Sequence, residues 1–279
     1  MTAEYTISVD GGSHTVLVSD DPKALLAAKA AGRAFVGVEG EDPGHLAPAG
    51  DIPFRIPSFE DASPELARLV LLRHLGKPWI IGETKRLVIR ELTGEDAGRI
   101  PAGECSGAER VFACRELLEA YISRQYGFYE YGTWAVTRRE DGALLGLAGV
   151  TNPDLPPELE RHLEAQGPGR PWLELGYRIF APFRRQGFGR EALEEILAYS
   201  HQVLEVRLCA VIAETNTASR ALAGRLGLVH FMREGEKKAA DGTTEAADHR
   251  AGGKKSPAPV TVSEGEGPGR LLLYGENWT

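Results

Sequence analysis

The sequence has few cysteines, no long apolar run and no excess of positive charge, and each absence excludes a class of protein. Three cysteines occur among 279 residues, an odd number without metal-ligand spacing, which favours reduced thiols and predicts no metal site. No apolar run approaches the roughly 18 residues of a membrane span, and the first residues lack the pattern of a signal peptide. The net charge of −8 argues against nucleic acid as a partner. We therefore expect a cytoplasmic protein.

What the sequence contains is a globular composition and enough length for two domains. The apolar fraction is 42% and the charged fraction 26%, as in folded proteins. Two short apolar segments joined by "DGGS" predict a hairpin near the start. Asp21 and Pro22 then head a helix that Gly32 ends. Residues 1–82 are predicted to form a small α/β domain.

Residues 83–279 carry a longer run of strands and helices that we assign to a second domain. Asp141-Gly142 is a strong two-residue hairpin signal. Residues 152–170, rich in Pro, Glu and Gly, are interpreted as an inserted loop with one helical turn and a candidate lid. Residues 235–268 contain few large apolar side chains, so they are predicted to be a disordered loop before the final strand "RLLLYG".

The segment "APFRRQGFGREALEEIL" (181–197) places two arginines and two glycines between an apolar strand and an amphipathic helix. Its G-x-G-x-x-A pattern matches a dinucleotide-binding turn, but there the first glycine follows the strand directly. A P-loop needs Lys-Ser/Thr after its last glycine, and Arg190-Glu191 stands there instead. An ordinary strand–loop–helix corner remains the structural alternative.

The remaining interpretation is a pyrophosphate cradle of another kind. Gly187 and Gly189 let backbone N–H groups approach a ligand, and the start of the helix adds its positive dipole end. Arg184 and Arg185 can add charge-assisted hydrogen bonds to phosphate oxygens.

Three motifs in order then resemble one family. "LELGYRIFAPFRRQGFGREALEEIL" (173–197) resembles the central motif of the GCN5-related N-acetyltransferases (GNAT), whose Arg/Gln-x-x-Gly-x-Gly/Ala signature falls here on Arg184, Gly187 and Gly189. "ETKRLVIREL" (83–92) resembles the opening strand of the branch that acetylates ribosomal proteins and related amines. "ETNTASRALAGRLGLVHF" (214–231) resembles the family's next strand and helix.

The resemblance implies an α/β (α+β) fold in which a mixed, mostly antiparallel sheet is flanked by helices and preceded by the small α/β domain. It also implies acetyl-CoA, with its pantetheine arm along strand 172–180 and splayed from 206–214. The residues implied to bind it are Ile179, Phe180, Arg184, Arg185, Gln186, Gly187, Phe188, Gly189, Arg190 and Asn216.

The activity implied is N-acetyl transfer to a primary amine that attacks the thioester directly, with a backbone N–H stabilising the oxyanion. The amine belongs to a small molecule or a protein, and the oligomeric state stays open, a homodimer included. A CoA-binding sensor without turnover is the alternative, because the tyrosine that often serves the family as general acid is replaced here by Ala223.

Glu174 is the candidate catalytic base, since a protonated amine must lose a proton before it attacks. A carboxylate on the central strand, opposite Leu173 and Leu175, has no structural reason to be buried. The alternatives are a solvent-facing side chain or a partner of Arg178. Glu214, at a strand end, is a weaker candidate.

Aromatic side chains in "YGFYEYGTW" (126–134) form a candidate wall for the acceptor. We take Tyr129, Tyr131 and Trp134 as substrate-binding residues, with core packing as the alternative. Asn216 can cap its helix while contacting the cofactor arm. Cys209 is expected to be a buried, inert thiol.

The N-terminal domain raises a second resemblance. "VLVSDDPKALLAAKAAGRAFVGV" (16–38) is similar to the late acidic motif of haloacid dehalogenase-type phosphatases, with Asp20 in place of their magnesium-binding aspartate. The nucleophile motif and the second aspartate have no counterpart, and Ala24 stands where that aspartate is expected. We interpret residues 1–82 as a truncated, inactive unit of that type, and Asp20-Asp21 as helix-capping residues.

Overall fold

The computed structural model describes residues 1–40, 46, 52–105, 107–235 and 270–276. The chain divides into two compact units, Met1–Trp79 and Ile80–Thr279. None of the helices in the described part of the chain combines the length and the apolar character that crossing a bilayer requires. The segment 235–268, predicted as a disordered loop, lies outside the described residues except for Gly235.

The first unit is a four-stranded sheet with two helices. Its elements are β1 (Thr2–Val9), β2 (Gly12–Ser19), α1 (Pro22–Ala30), β3 (Phe35–Val38), β4 (Arg55–Ile56) and α2 (Pro64–His74). The strands lie in the order β1-β2-β3-β4, with β1 antiparallel to β2 and the other two pairs parallel. Asp10 and Gly11, both at positive φ, form the predicted hairpin turn. Asp21 caps α1 by accepting a hydrogen bond from the N–H of Lys23 at 2.9 Å.

The second unit is an eight-stranded sheet with four helices. Its elements are β5 (Ile80–Glu83), β6 (Leu87–Arg90), α3 (Arg115–Tyr129), β7 (Thr133–Arg138), β8 (Leu144–Thr151), α4 (Pro157–Glu164), β9 (Trp172–Ile179), α5 (Phe188–Gln202), β10 (Arg207–Ala213), α6 (Thr217–Arg225), β11 (Val229–Arg233) and β12 (Leu271–Gly275). The order is β11-β12-β10-β9-β8-β7-β6-β5. Every neighbouring pair is antiparallel except β9 and β10.

This arrangement confirms the mixed, mostly antiparallel sheet flanked by helices. β8 is buried along its whole length, because helices cover both faces of the sheet. On one face the fully buried ring of Trp134 contacts Tyr199 of α5. On the other, Tyr121 and Tyr126 of α3 bond to the backbone of Thr133.

Two details differ from the sequence expectation. The second unit begins with β5, which pairs with β6, so the division falls at Ile80 and the predicted boundary at Glu83 lies inside the second unit. The inserted segment 152–170 contains the eight-residue helix α4 instead of one turn. Leu159 and Leu163, four residues apart, pack against Cys209 and thereby stabilise the second turn.

A buried ion pair holds the connection between β6 and α3. The carboxylate of Asp96, 1% exposed, accepts bonds from both terminal nitrogens of Arg90 at 2.7 and 2.8 Å and from Arg99 at 3.1 Å. It also accepts the N–H of Thr93 at 2.8 Å. Burial alone would raise the pKa of Asp96, but the bonds and charge of Arg90 and the Thr93 bonds outweigh it and lower that pKa.

We expect Asp96→Asn to lower the free energy of unfolding by about 3 kcal/mol, because it leaves Arg90 buried without its counter-charge. Since folding lowers this pKa, the stabilisation is present above the unfolded-state pKa and is lost as the pH falls below about 4. Urea titrations at pH 7 and pH 3 measure both effects. The exposed pair Arg138–Asp141 provides the control: Asp141→Asn should change stability little, and an equal loss in both variants would contradict the assignment.

Candidate active site

The sheet opens where its one parallel pair ends. β9 and β10 are paired at Trp172–Arg207, Leu173–Leu208 and Glu174–Cys209, and no further pair follows along either strand. Beyond this point β9 continues to Ile179 and β10 to Ala213 without a shared ladder. Glu174 and Cys209 therefore stand at the vertex of a splay between two strands.

A cavity of about 630 Å³ is lined by the second half of β9, the loop before α5 and the first turns of α6. It brings together eight of the ten residues that the sequence predicted to bind the cofactor: Ile179, Arg184, Arg185, Gly187, Phe188, Gly189, Arg190 and Asn216. Of the other two, Phe180 is fully buried. The side chain of Gln186 donates to the carbonyl of Pro182 at 3.1 Å.

The loop before α5 has the backbone of an anion cradle. Gly187 caps α5 at φ 82°, and Arg185 is also left-handed at φ 60°, a conformation that is costly for a residue with a side chain. The first N–H groups of a helix have no partner within it and carry its positive dipole end. A Cβ at Gly189 would stand 3.2 Å from the ring of Tyr177. The cradle thus has the backbone features of a phosphate-binding loop: glycine at 187 supplies the left-handed conformation, and a side chain at 189 would crowd the Tyr177 ring.

Two arginines of this region, Arg184 and Arg190, are held by carboxylates. Arg184 donates from Nε to the carbonyl of Ile179 at 2.8 Å and from Nη2 to Glu104 at 3.0 Å. Glu104 also accepts the N–H of Ala181 at 2.6 Å. Arg190 pairs with Glu194 at 2.7 Å. Arg184 therefore orders the loop as well as adding charge, and the sequence contained no signal for its partner 80 residues earlier.

A hydrogen bond joins the two sides of the cavity. The hydroxyls of Tyr177 on β9 and Ser219 on α6 are 3.1 Å apart, and both residues line the cavity. Asn216 caps α6 by accepting the N–H of Ser219 at 3.1 Å. Ala223, at the position of the family's tyrosine, is 4% exposed. The sequence analysis missed Tyr177 and Ser219, although strand alternation and the capping spacing could have indicated them.

Glu174 is buried at the vertex, 3% exposed. Burial raises the pKa of its carboxyl to about 8; the backbone N–H of Asp154 opposes this shift and the Asp154 charge adds to it. Arg178 is not its partner, because Arg178 pairs with Glu109 at 3.0 Å. An isolated carboxyl in a core costs stability, and such groups cluster at functional sites.

The predicted acceptor residues fall in two places. Tyr129 and Tyr131 contact each other with ring centroids 5.7 Å apart, and the hydroxyl of Tyr131 donates to Asn152 at 2.7 Å. Asn152 begins the loop whose Asp154 N–H bonds to Glu174. Trp134 is fully buried against α5, on the face of the sheet opposite to Glu174.

The acidic residues of the N-terminal unit are used locally. Asp20 pairs with the amino group of Met1, and Asp21 caps α1. No cluster of His, Cys, Asp and Glu suited to a metal ion occurs in the described ranges. The resemblance of residues 1–82 to haloacid dehalogenase-type phosphatases therefore finds no support.

We expect the cysteines to differ strongly in reactivity. Burial raises the pKa of Cys209 well above its usual value, and burial together with Glu109 raises that of Cys105 to about 11. At pH 8 both are protonated and slow to react. In a disulfide-exchange titration of the native protein Cys114 should react first and Cys209 only after unfolding. Rapid labelling of Cys209, identified by its loss in Cys209→Ser, would contradict this assignment.

Comparisons with known proteins agree with this architecture. A family model described as an acetyltransferase (GNAT) domain matches residues 86–229. The Bacillus subtilis (strain 168) protein YoaA, an uncharacterized N-acetyltransferase, is 27% identical over 176 residues, which span 55% of this chain and 83% of that protein.

Solved structures are more remote. A ribosomal-protein-S5-alanine acetyltransferase from Vibrio fischeri is 13% identical over 70% of this chain and 94% of its own, with a TM-score of 0.47. An acetyltransferase from Agrobacterium tumefaciens is 17% identical over 71% and 94%, with a TM-score of 0.41.

The matched range 86–229 covers just over half of the 279 residues and includes the splay, the cradle and Glu174. The chain belongs to the GNAT acetyltransferase family and is an acetyl-CoA-dependent enzyme that transfers an acetyl group to an amine.

Proposed function

We propose that the enzyme acetylates a primary amine, of a small molecule or a protein, by direct attack on the thioester with Glu174 as the base. The observation that carries the proposal is a buried carboxyl with a raised pKa at the vertex where β9 and β10 part. The alternative of a sensor without turnover has no comparable observation in its favour.

The cradle and the strand β9 are proposed to bind acetyl-CoA, which supplies an activated acetyl thioester. The N–H groups from Gly187 to Arg190 and the dipole of α5 attract the diphosphate. Arg184 and Arg185 add positive charge at the rim. On the side where β10 has parted from it, the backbone of β9 from Leu175 to Ile179 offers hydrogen bonds to an extended arm, and a backbone N–H there can stabilise the oxyanion.

Glu174 is proposed to take the proton of the amine. With a pKa of about 8 only about one-tenth of the carboxyl groups are ionised at pH 7, and the ionised form is a strong base in its dry surroundings. The same group must be ionised to act, so the rate is expected to rise with pH up to this pKa.

Tyr129 and Tyr131 are proposed to form the aromatic wall beside the acceptor. The hydroxyl of Tyr131 donates to Asn152, and the ring of Tyr129 contacts that of Tyr131. Asn152 begins the loop that reaches Glu174 through Asp154. Aromatic faces attract cationic and apolar groups alike. We leave Trp134 out of this wall, since it packs in the core. The segment "ETKRLVIREL" further supports placing the enzyme in the ribosomal-protein-acetyltransferase-like branch, and we propose a cytoplasmic location.

We expect the double variant Arg184→Ala, Gly189→Glu to lose acetyl-CoA binding. The variant removes one positive charge and places a carboxylate beside the N-terminus of α5, where the Tyr177 ring leaves little room. Isothermal titration should show an affinity at least about 100-fold weaker. Gly98→Glu is the control, because a Cβ there meets open space. Equal affinity in the wild type and the double variant would contradict the cradle assignment.

For Glu174→Gln we expect kcat to fall about 100-fold with little change in acetyl-CoA affinity. In the wild type kcat should rise about tenfold per pH unit below pH 8 and level off above it, because only the ionised carboxylate accepts a proton. Thiol release from acetyl-CoA, followed against a panel of amines from pH 6 to 9.5, measures both. Glu214→Gln, at a partly exposed pair with Arg233, is the control. A wild-type kcat that does not rise with pH below pH 8 would exclude Glu174 as the base.

A further inference from the structure

The residue directly opposite Glu174 on the neighbouring strand is Thr151. In the antiparallel pair of β8 and β9, Thr151 faces Glu174, so both side chains leave the same face of the sheet. Thr151 is 6% exposed, and its hydroxyl oxygen is buried without a hydrogen-bond partner among the described residues. A buried hydroxyl that forms no hydrogen bond lowers the free energy of unfolding, so a hydroxyl at this position is expected to have a bonding partner.

The spacing of the pair accounts for the missing partner. Side chains directly opposite in antiparallel strands have Cβ atoms about 5 Å apart. A hydroxyl and a carboxyl at this spacing that do not bond directly are within reach of one water molecule, whose two hydrogen bonds span about 5.5 Å. The backbone N–H of Asp154 satisfies part of the carboxyl, and a carboxyl group has acceptor capacity beyond one bond.

We propose that Thr151 is a positioning residue that holds a water molecule against Glu174, and that this water carries the proton from the acceptor amine to the carboxylate. The inference rests on the proposed role of Glu174 as base. Because Glu174 is almost fully buried, an amine reaches it poorly, whereas a water molecule at the vertex of the splay contacts both.

The proton balance of the step is complete without any further reactant. The N–H bond of the ammonium group breaks and its proton passes to the water, which gives one of its own protons to Glu174 and is regenerated. The nitrogen lone pair then forms the bond to the acetyl carbon, and the carbon–sulfur bond breaks with its electron pair on sulfur. Thr151 changes neither protonation nor oxidation state.

The titratable and charged groups around Glu174 determine how the proposed proton relay depends on pH. Asp154 faces it from the loop after β8, Cys209 from β10, and the nearest basic side chain on its own strand, Arg178, is paired with Glu109.

The test compares Thr151→Val, which removes the hydroxyl and keeps the shape, with Thr151→Ser, which keeps the hydroxyl. We expect Thr151→Val to lower kcat by about 10- to 100-fold and to leave the KM for acetyl-CoA unchanged. The pH at which kcat levels off should also change. Thr151→Ser should stay within about threefold of the wild type. Thr151→Val removes a hydroxyl that bonds to no described protein group, so it does not endanger folding.

Infrared spectroscopy supplies a readout that needs no turnover. The carbonyl band of protonated Glu174, identified by its loss in Glu174→Gln, should move in Thr151→Val to the position of a carboxyl with one hydrogen bond fewer, and remain in place in Thr151→Ser. An unchanged band, or equal impairment of kcat in both Thr151 variants, would overturn the proposal. A wild type inactive on every amine would refute the proposed function, while the infrared band would still decide the role of Thr151.

Discussion

The parting of β9 and β10 after the Glu174–Cys209 pair is the constraint on which the active site depends. Two parallel neighbours in an otherwise antiparallel sheet share only three pairs, and the backbone polar groups beyond them must find partners elsewhere. A ligand that runs along β9 can satisfy those groups. This single opening produces the cavity, the position of the Glu174 carboxyl at the vertex and the access from one face of the sheet to the other.

The stability of the surrounding unit compensates for the cost of the site. A carboxyl at 3% exposure and a hydroxyl with no partner among the described residues, both at the vertex, are unfavourable in a core. The burial of β8 along its whole length and the ion pair of Asp96 with Arg90 stabilise the sheet around them. Polar groups that are buried at a cost beside a cavity are typical of a functional centre.

The charged side chains at the cradle are held in position by residues that are distant in sequence. Glu104 holds Arg184 and the N–H of Ala181 together, and Glu109 holds Arg178. The segment between β6 and α3 thus orders the strand and the loop that line the cavity. Positive charge remains at the rim of the cavity, but its geometry is set by carboxylates that belong to another part of the chain.

The sequence by itself determined the features that depend on local chemistry. The turn at Asp10-Gly11, the cap at Asp21, the cradle glycines Gly187 and Gly189 and the family were all predictable, because turn conformations, helix ends and spaced motifs are encoded within a few residues. Strand alternation within the family motif also identified Glu174 as a candidate catalytic base.

Only the tertiary structure decided which groups meet across strands. Strand register brings Thr151 opposite Glu174, places Trp134 on the other face against Tyr199 and joins Tyr177 to Ser219 across the cavity. The second turn of α4 likewise required a core for Leu159 and Leu163 to enter. These contacts link residues far apart in the chain, and the pairing of strands and the burial of side chains, which no short segment specifies, fix them.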